Sequence, residues 1–305
     1  MSTEYIHFTA EQKEAARQTD LVALLQSQGE RLKRSGKEYV WRDGSEKVTV
    51  RGNLWFHQYE RIGGDAVDFV RRFYDMDFPQ AVNFLLGNNG GALPQAEPVN
   101  REPPKPFTLP PKNDNMRRVY AYLLNRRGID REVLSAFVHK GMIYESADYH
   151  NAVFVGYDEH GIARHAHKRG TGSESTYKGN AESCDPRYSF HWTGTDNTLY
   201  LFEAPIDMLS FISLHKENWR SHSYAAACCV GDQVLFQMLK ANFNIDTVCL
   251  CMDNDTAGQA ANKRISDKLF IQGIKHEILV PEFKDWNEDL LCDEQEETEC
   301  QTLQL

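Results

Sequence analysis

The stretch TLYLFEAPIDMLS, residues 198–210, sets five strand-forming residues directly before Glu203, then a proline and Asp207 at the start of a helical pattern. The arrangement returns at TVCLCMDNDTAGQAA, residues 247–261, where a strand ends at Asp253 and a helix opens past Asp255 and Gly258. Two further strand patterns, SYAAACC at 223–229 and HEILV at 276–280, alternate with helical runs at 233–243 and from about 257 to 273. Strand and helix alternating in this way predict an α/β fold, a mostly parallel four-stranded sheet flanked by helices. In such sheets function gathers outside the carboxyl ends of the strands. Acids stand at three of those ends: Glu203 and Asp207, then Asp253 and Asp255, then Asp285 within KDWNEDL at 284–290. A single DxD is ordinary loop sequence; three acidic clusters at three strand ends point to a metal site. Carboxylates within ~4–6 Å of one another raise each other's pKa or require a cation. Oxygen donors alone suit Mg2+ or Mn2+ better than zinc, and two such ions can clamp an in-line phosphoryl transfer. Gly258 would let its helix pack close to the sheet.

Upstream, MRRVYAYLLNRR at 116–127 and DREVLSAFVHK at 130–140 read as helices. AVFVGYDEHGIARHAHKRG at 152–170 reads as a hairpin turning at Glu159-His160-Gly161, and TGSESTYKGNAES at 171–183 as a loop. The hairpin carries Arg164, Lys168 and Arg169, which with Lys284 are candidate contacts to nucleotide or nucleic-acid phosphates. Residues 88–112 hold seven of the eleven prolines and read as a linker. Before it, Thr9-Ala-Glu-Gln12 forms a capping-box pattern, and a helix from about Asp20 carries Leu21, Leu24 and Leu25 on one face. Residues 31–58 read as short strands with turns at Ser35-Gly36 and Gly52-Asn53, followed by two helices. Lys33 and Arg34 lie among those strands, interleaved with Tyr39, Trp41 and Trp55, a composition that can bind single strands through phosphates and stacked bases. Trp55 and Phe56 are expected in this module's core.

The expected organisation is a small α+β module at 1–87, a linker at 88–112, a middle α+β segment at 113–197, the parallel sheet at 198–291 and an acidic tail at 292–305. The net charge of −10 lies mostly at the end: from Glu282 onward the chain has nine acids against one lysine. The remainder is nearly neutral, so overall charge does not exclude a nucleic-acid partner. Seven scattered cysteines without a CxxC pair, a polar start and no long apolar run suggest a cytoplasmic protein with no membrane partner.

On these motifs the C-terminal third resembles the Toprim domain of bacterial primases. FEAPIDMLS is similar to the first Toprim motif, MDNDTAGQAA to the second, and KDWNEDL to the acidic motif near the domain's end. The resemblance implies Glu203 as metal ligand or acid/base, Asp253 and Asp255 as metal ligands, and Asp207 and Asp285 as supporting acids. Two positions depart from it: Ala204 stands where the family has glycine, and Asn287 where primases often repeat an aspartate. GGDAVDFVRRFYDMDFPQAVNFLLG at 63–87 resembles the end of the primase zinc-binding domain, and RSGKEYVW at 34–41 resembles its upstream part. Residues 1–183 contain no cysteine, and His57 and Glu60 stand where a CxxC would be, so no zinc is expected. The middle segment resembles a domain of unknown function that precedes Toprim domains in conjugative elements. Together these imply a primase-like, Mg2+- or Mn2+-dependent nucleotidyltransferase acting on single-stranded DNA and nucleotides in a plasmid or chromosome-borne mobile element, alongside a helicase or other replication proteins. A Toprim nuclease and a non-catalytic DNA-binding accessory protein are the alternatives.

Overall fold

The computed structural model describes residues 8–43, 46–60, 62–87, 105–228 and 231–293. Most of the expected tail and most of the expected linker lie outside the described residues. The chain forms two compact units, 1–103 and 104–305.

The first unit begins with α1 (Ala10–Arg17) and α2 (Leu21–Ser27). Thr9 and Gln12 form the expected reciprocal cap, and Leu21, Leu24 and Leu25 are buried. Five strands follow: β1 (Lys33–Ser35), β2 (Glu38–Asp43), β3 (Glu46–Arg51), β4 (Leu54–His57) and β5 (Gly63–Gly64). They pair antiparallel in chain order, and two of the turns rest on Gly36 and Gly52 at φ +62° and +58°, where side chains are disfavoured. Two helices, α3 (Ala66–Phe73) and α4 (Phe78–Leu85), complete the unit. Trp41 and Trp55 each lie 5.2 Å from the Phe73 ring, which makes an aromatic centre. Phe56 corrects the expectation of a core residue: β4 alternates, Trp55 and His57 face inward, and Phe56 is 37% exposed.

The second unit opens with α5 (Arg117–Tyr120), which continues as a π-helical turn over Ala121–Arg126, and α6 (Arg131–His139). An antiparallel sheet follows in the order β6 (Ile143–Glu145), β7 (Ala152–Tyr157), β8 (Ala163–Arg169), β9 (Lys178–Asn180). The β7–β8 hairpin turns where expected, with Gly161 at φ +73° and Asp158 Oδ1 accepting from His160 N and Ile162 N. The stretch expected as loop contains β9, a three-residue polar edge strand with no apolar alternation to betray it. The end of the proline-rich stretch also belongs to this unit: Lys112 bridges to Ser146, and the Tyr144 hydroxyl donates to the Pro110 carbonyl at 2.6 Å.

The second sheet of this unit runs β10 (His191–Trp192), β12 (Ser223–Ala226), β11 (Thr198–Phe202), β13 (Thr247–Cys251), β14 (Lys275–Ile278) in spatial order. Four strands are parallel, as the alternation predicts; β10 adds an antiparallel edge. The helices α7 (Pro205–Leu214), α8 (Gln233–Ala241) and α9 (Thr256–Ile271) connect the strands, and a last helical segment covers 286–293. One core joins Phe137 and Phe154 of the middle segment to Phe202, Phe211 and Trp286 of the parallel sheet. A separate core beneath α8 and α9 holds Leu201, Leu235, Leu250 and Ile265. No helix among the described residues is long and apolar enough to cross a membrane.

Candidate functional site

The neighbours β11 and β13 send their connections in opposite directions, β11 through α7 to β12 and β13 through α9 to β14, and this opens a crevice at their carboxyl ends. Phe202 pairs in register with Cys251. The residues that follow, Glu203 and Asp253, are therefore delivered to the same crevice. Pro205 opens α7, where its missing N–H costs no hydrogen bond, and places Asp207 in the first turn facing inward. On the other side, a Cβ on Gly258 would collide with the Asp253 carbonyl oxygen, so only glycine lets α9 begin this close to the β13 end. Asp255 caps α9, its Oδ1 accepting from Ala257 N and Gly258 N at 2.9 Å each.

The third acidic stretch is fixed to the second. Asn254 N donates to the Lys284 carbonyl at 2.8 Å, and Trp286 Nε1 donates to the Cys251 carbonyl at 2.9 Å. Asp285 Oδ1 accepts from Asn287 N and Glu288 N, which starts the last helical segment. Asp289 accepts from Glu282 N and Phe283 N and so braces the loop. Asn287 is 2% exposed and reaches away from the acids: its Nδ2 donates to the Arg127 carbonyl and Ser210 Oγ, and its Oδ1 accepts from Arg127 Nη1.

The resulting cleft, about 180 Å³, is lined by Glu203, Asp207, Asp253 and Asp285 together with Arg127, Arg169, Lys178 and Lys284. Burial pushes Asp253 up to about 7, and the charges of Glu203, Asp285 and Asp255 add to the rise against the pull of Lys178. Burial raises Glu203 as well, with Lys178 and Lys284 opposing. Asp207 lies well above the usual carboxylate range, first through burial and then through Asp253, Asp285 and Glu203; Arg127 opposes. His167, also lining the cleft, is held down to about 4 by burial, so its ring is neutral at neutral pH. Its Nδ1 donates to Asn180 Oδ1 at 2.7 Å, which leaves Nε2 as an acceptor.

In these side-chain positions no three His, Cys, Asp or Glu groups among the described residues stand arranged to hold a metal ion. The donor set nevertheless fits a hard cation. Asp253 Oδ1 is buried with no hydrogen-bond donor among the described residues, and its neighbours Glu203, Asp207 and Asp285 offer only carboxylate oxygens. An unpaired buried carboxylate oxygen is costly unless a cation meets it.

Of the residues singled out in the sequence, Glu203, Asp207, Asp253, Asp285, Lys284 and Arg169 line this one cleft. Asp255 stands close enough to raise Asp253 and Glu203 while capping α9. Arg164 is instead ion-paired to Asp158 at 2.7 Å beside the hairpin turn. Lys168 alternates to the opposite face of β8 from His167 and Arg169 and lines another cavity. Lys33 and Arg34 lie on exposed β1 of the first unit. In that unit His57 Nδ1 accepts from Glu60 N at 3.0 Å, and Glu60 pairs with Arg72 at 2.7 Å. No motif or spacing along the chain points to Arg127 and Lys178. Arg127 ends a helical turn and Lys178 sits in a polar loop pattern; only the packing of the two sheets brings them to the acids.

Residues 121–196 match a family described as a protein of unknown function (DUF3991), and residues 200–290 match one described as Toprim-like. The second match spans all three acidic stretches, so the expected Toprim-type domain is present. An uncharacterized Bacillus anthracis protein, pXO2-78, is 26% identical over 274 residues, 85% of this chain and 79% of its own. Among solved structures, the Aquifex aeolicus primase (zinc-binding and RNA polymerase domains) aligns at 16% identity over 96% of this chain and 84% of its own, with a TM-score of 0.40. The primase fragment of the bacteriophage T7 primase-helicase protein aligns at 20% identity over 59% of this chain and 73% of its own, with a TM-score of 0.42.

Proposed function

We propose that the protein is a primase-like, divalent-metal-dependent nucleotidyltransferase that joins nucleotides on a single-stranded DNA template during replication of a plasmid or other mobile element. The observation that carries this reading is the buried, unpaired Asp253 Oδ1 in a cleft whose other acids are Glu203, Asp207 and Asp285. Asp253 and Asp255 would hold the ion, with Glu203 as a further ligand or as the acid/base group and Asp207 and Asp285 in support. An ion of the Mg2+ or Mn2+ class supplies charge neutralisation to the attacking and leaving oxygens. Lys178, Arg169 and Lys284 bind the triphosphate, because their charges face the same cleft and, among the described residues lining it, the other permanent positive charge is Arg127. Arg127 is already held by Asn287 and by the Tyr122 hydroxyl, and serves as a fixed counter-charge to Asp207. In the acid/base role Glu203 would accept the proton of the attacking hydroxyl at its carboxylate.

The test is incubation with single-stranded DNA, labelled nucleotides and Mg2+ or Mn2+, with Asp253→Asn as the control. New oligomers that disappear in the variant are the expected result. Shortened DNA assigns the same residues to a nuclease, and the absence of both products with the ion present sinks the catalytic reading.

A further inference from the structure

The face of β8 opposite the acidic cleft carries a larger cavity of about 540 Å³. That volume is within the roughly 300–1,000 Å³ of ordinary ligand sites. Its walls come from separate pieces of chain: Pro110, Arg118 in the first turn of α5, Tyr149 in the 146–151 turn, and Lys168 and Tyr177 on either side of a glycine-containing loop. These walls are tied together. Ala147 N donates to the Pro111 carbonyl at 2.8 Å, Arg126 Nη1 to the Gly172 carbonyl at 2.9 Å, and Thr171 Oγ1 to the His150 carbonyl at 2.8 Å. The loop folds on itself as well, Gly170 N donating to the Tyr177 carbonyl at 2.9 Å, and Ser175 fills the space a Cβ on Gly170 would need. The groove is thus formed before any ligand arrives.

Its chemistry is specific in kind. Tyr149 is 88% exposed and Tyr177 46% exposed, two large rings that the core does not claim. Tyr149 and His150 sit at φ +60° and +53°, a conformation bulky residues rarely adopt. The turn therefore holds the Tyr149 ring out at an energetic cost instead of folding it under. Lys168 Nζ lies 5.8 Å from the Tyr177 ring centre, and neither Lys168 nor Arg118 makes an ion pair among the described residues. Asp148 is the acid on the wall, and its main-chain oxygen is taken by the Ser146 hydroxyl at 2.6 Å. Exposed rings beside uncommitted cations recognise unpaired bases joined by phosphates; a duplex would hide the base faces.

We propose that this groove binds single-stranded nucleic acid, bases stacking on Tyr149 and Tyr177 and phosphates meeting Arg118 and Lys168, as a holding site separate from the acidic cleft. The proposal deepens the reading above and rests on it for the identity of the strand. The experiment measures binding of a fluorescent single-stranded oligonucleotide to the full chain in chelator, where the metal cleft contributes no ion, with primer synthesis assayed in parallel. Tyr149→Ala and Tyr177→Ala are expected to weaken binding between about fivefold and a hundredfold each, and Tyr149→Phe and Tyr177→Phe to retain it. Arg118→Ala and Lys168→Ala should each lower the slope of log affinity against log salt by about 0.7. Unchanged binding in the alanine variants overturns the groove and leaves the nucleotidyltransferase reading standing if synthesis persists. A free nucleotide competing as well as the oligonucleotide overturns the strand as occupant. Failure of the unaltered chain to bind any single strand overturns both proposals.

Discussion

Asn287 and Arg127 hold each other in both directions: the Asn287 amide donates to the Arg127 carbonyl at 2.7 Å, and the Arg127 guanidinium donates to Asn287 Oδ1 at 2.9 Å. The position at which primases often repeat an aspartate is thus occupied by a donor that an aspartate cannot supply. Asn287→Asp would orphan the Arg127 carbonyl and put a further buried negative charge beside Ser210 and Asp207. A loss of roughly 1–3 kcal/mol for each orphaned buried group is expected in urea denaturation. A variant as stable as the unaltered chain would show that the link carries no stability.

In chelator the acidic cleft sets a pH dependence. Asp253 titrates at about 7 in the fold against an ordinary 3.8, so the folded state binds the proton more tightly than the unfolded chain. Its contribution to stability is complete below pH ~3.8 and is lost as pH rises through about 7. In chelator, thermal unfolding temperature should therefore fall across that window from this group. Asp253→Asn should flatten the fall, and Mg2+ or Mn2+ should restore stability at the high-pH end by mass action. A temperature that rises across the window in chelator and is indifferent to the substitution contradicts the buried carboxylate.

Gly258 offers a steric test. Gly258→Ala drives a methyl group into the Asp253 carbonyl oxygen, so the α9 start must shift away from the β13 end. Overpacking of this kind costs about 1–3 kcal/mol. Titration with Mn2+, followed by its paramagnetic signal, should show weakened binding in a chain that remains folded. Equal affinity would mean that Asp253 does not depend on this approach.

In the first unit, Trp55→Ala should cost about 3–5 kcal/mol, because the ring packs against Phe69 and Phe73. Phe56→Ala, one residue along on the outward face, should stay within about 0.5 kcal/mol. Denaturation of both variants checks the β4 alternation; equal losses would contradict it.

The acids were legible because strand, acid and helix follow one another within a few residues, and that local order fixes which rim of a parallel sheet they reach. The strand order was not legible: alternation predicts a parallel sheet but not the neighbours β12, β11 and β13 that open the crevice. Arg127 and Lys178 were not legible, since each enters the cleft from another sheet or helix and no spacing along the chain encodes that approach. The basic residues of β8 form one cluster along the chain, yet period-two alternation sends Lys168 and Arg169 to opposite faces. Phe56 failed for the same reason, a hydrophobic side chain on the wrong parity. β9 and β10 escaped notice because two or three residues cannot display a pattern.

The shared core of Phe137, Phe154, Phe202, Phe211 and Trp286 has an evolutionary consequence. A gene fragment encoding only the parallel sheet would expose one of its faces to water, and a fragment encoding only the middle segment would lack its floor. Recombination that exchanged one half for a distant counterpart would have to match apolar shapes along that whole seam. The two halves should therefore travel between genomes as a pair.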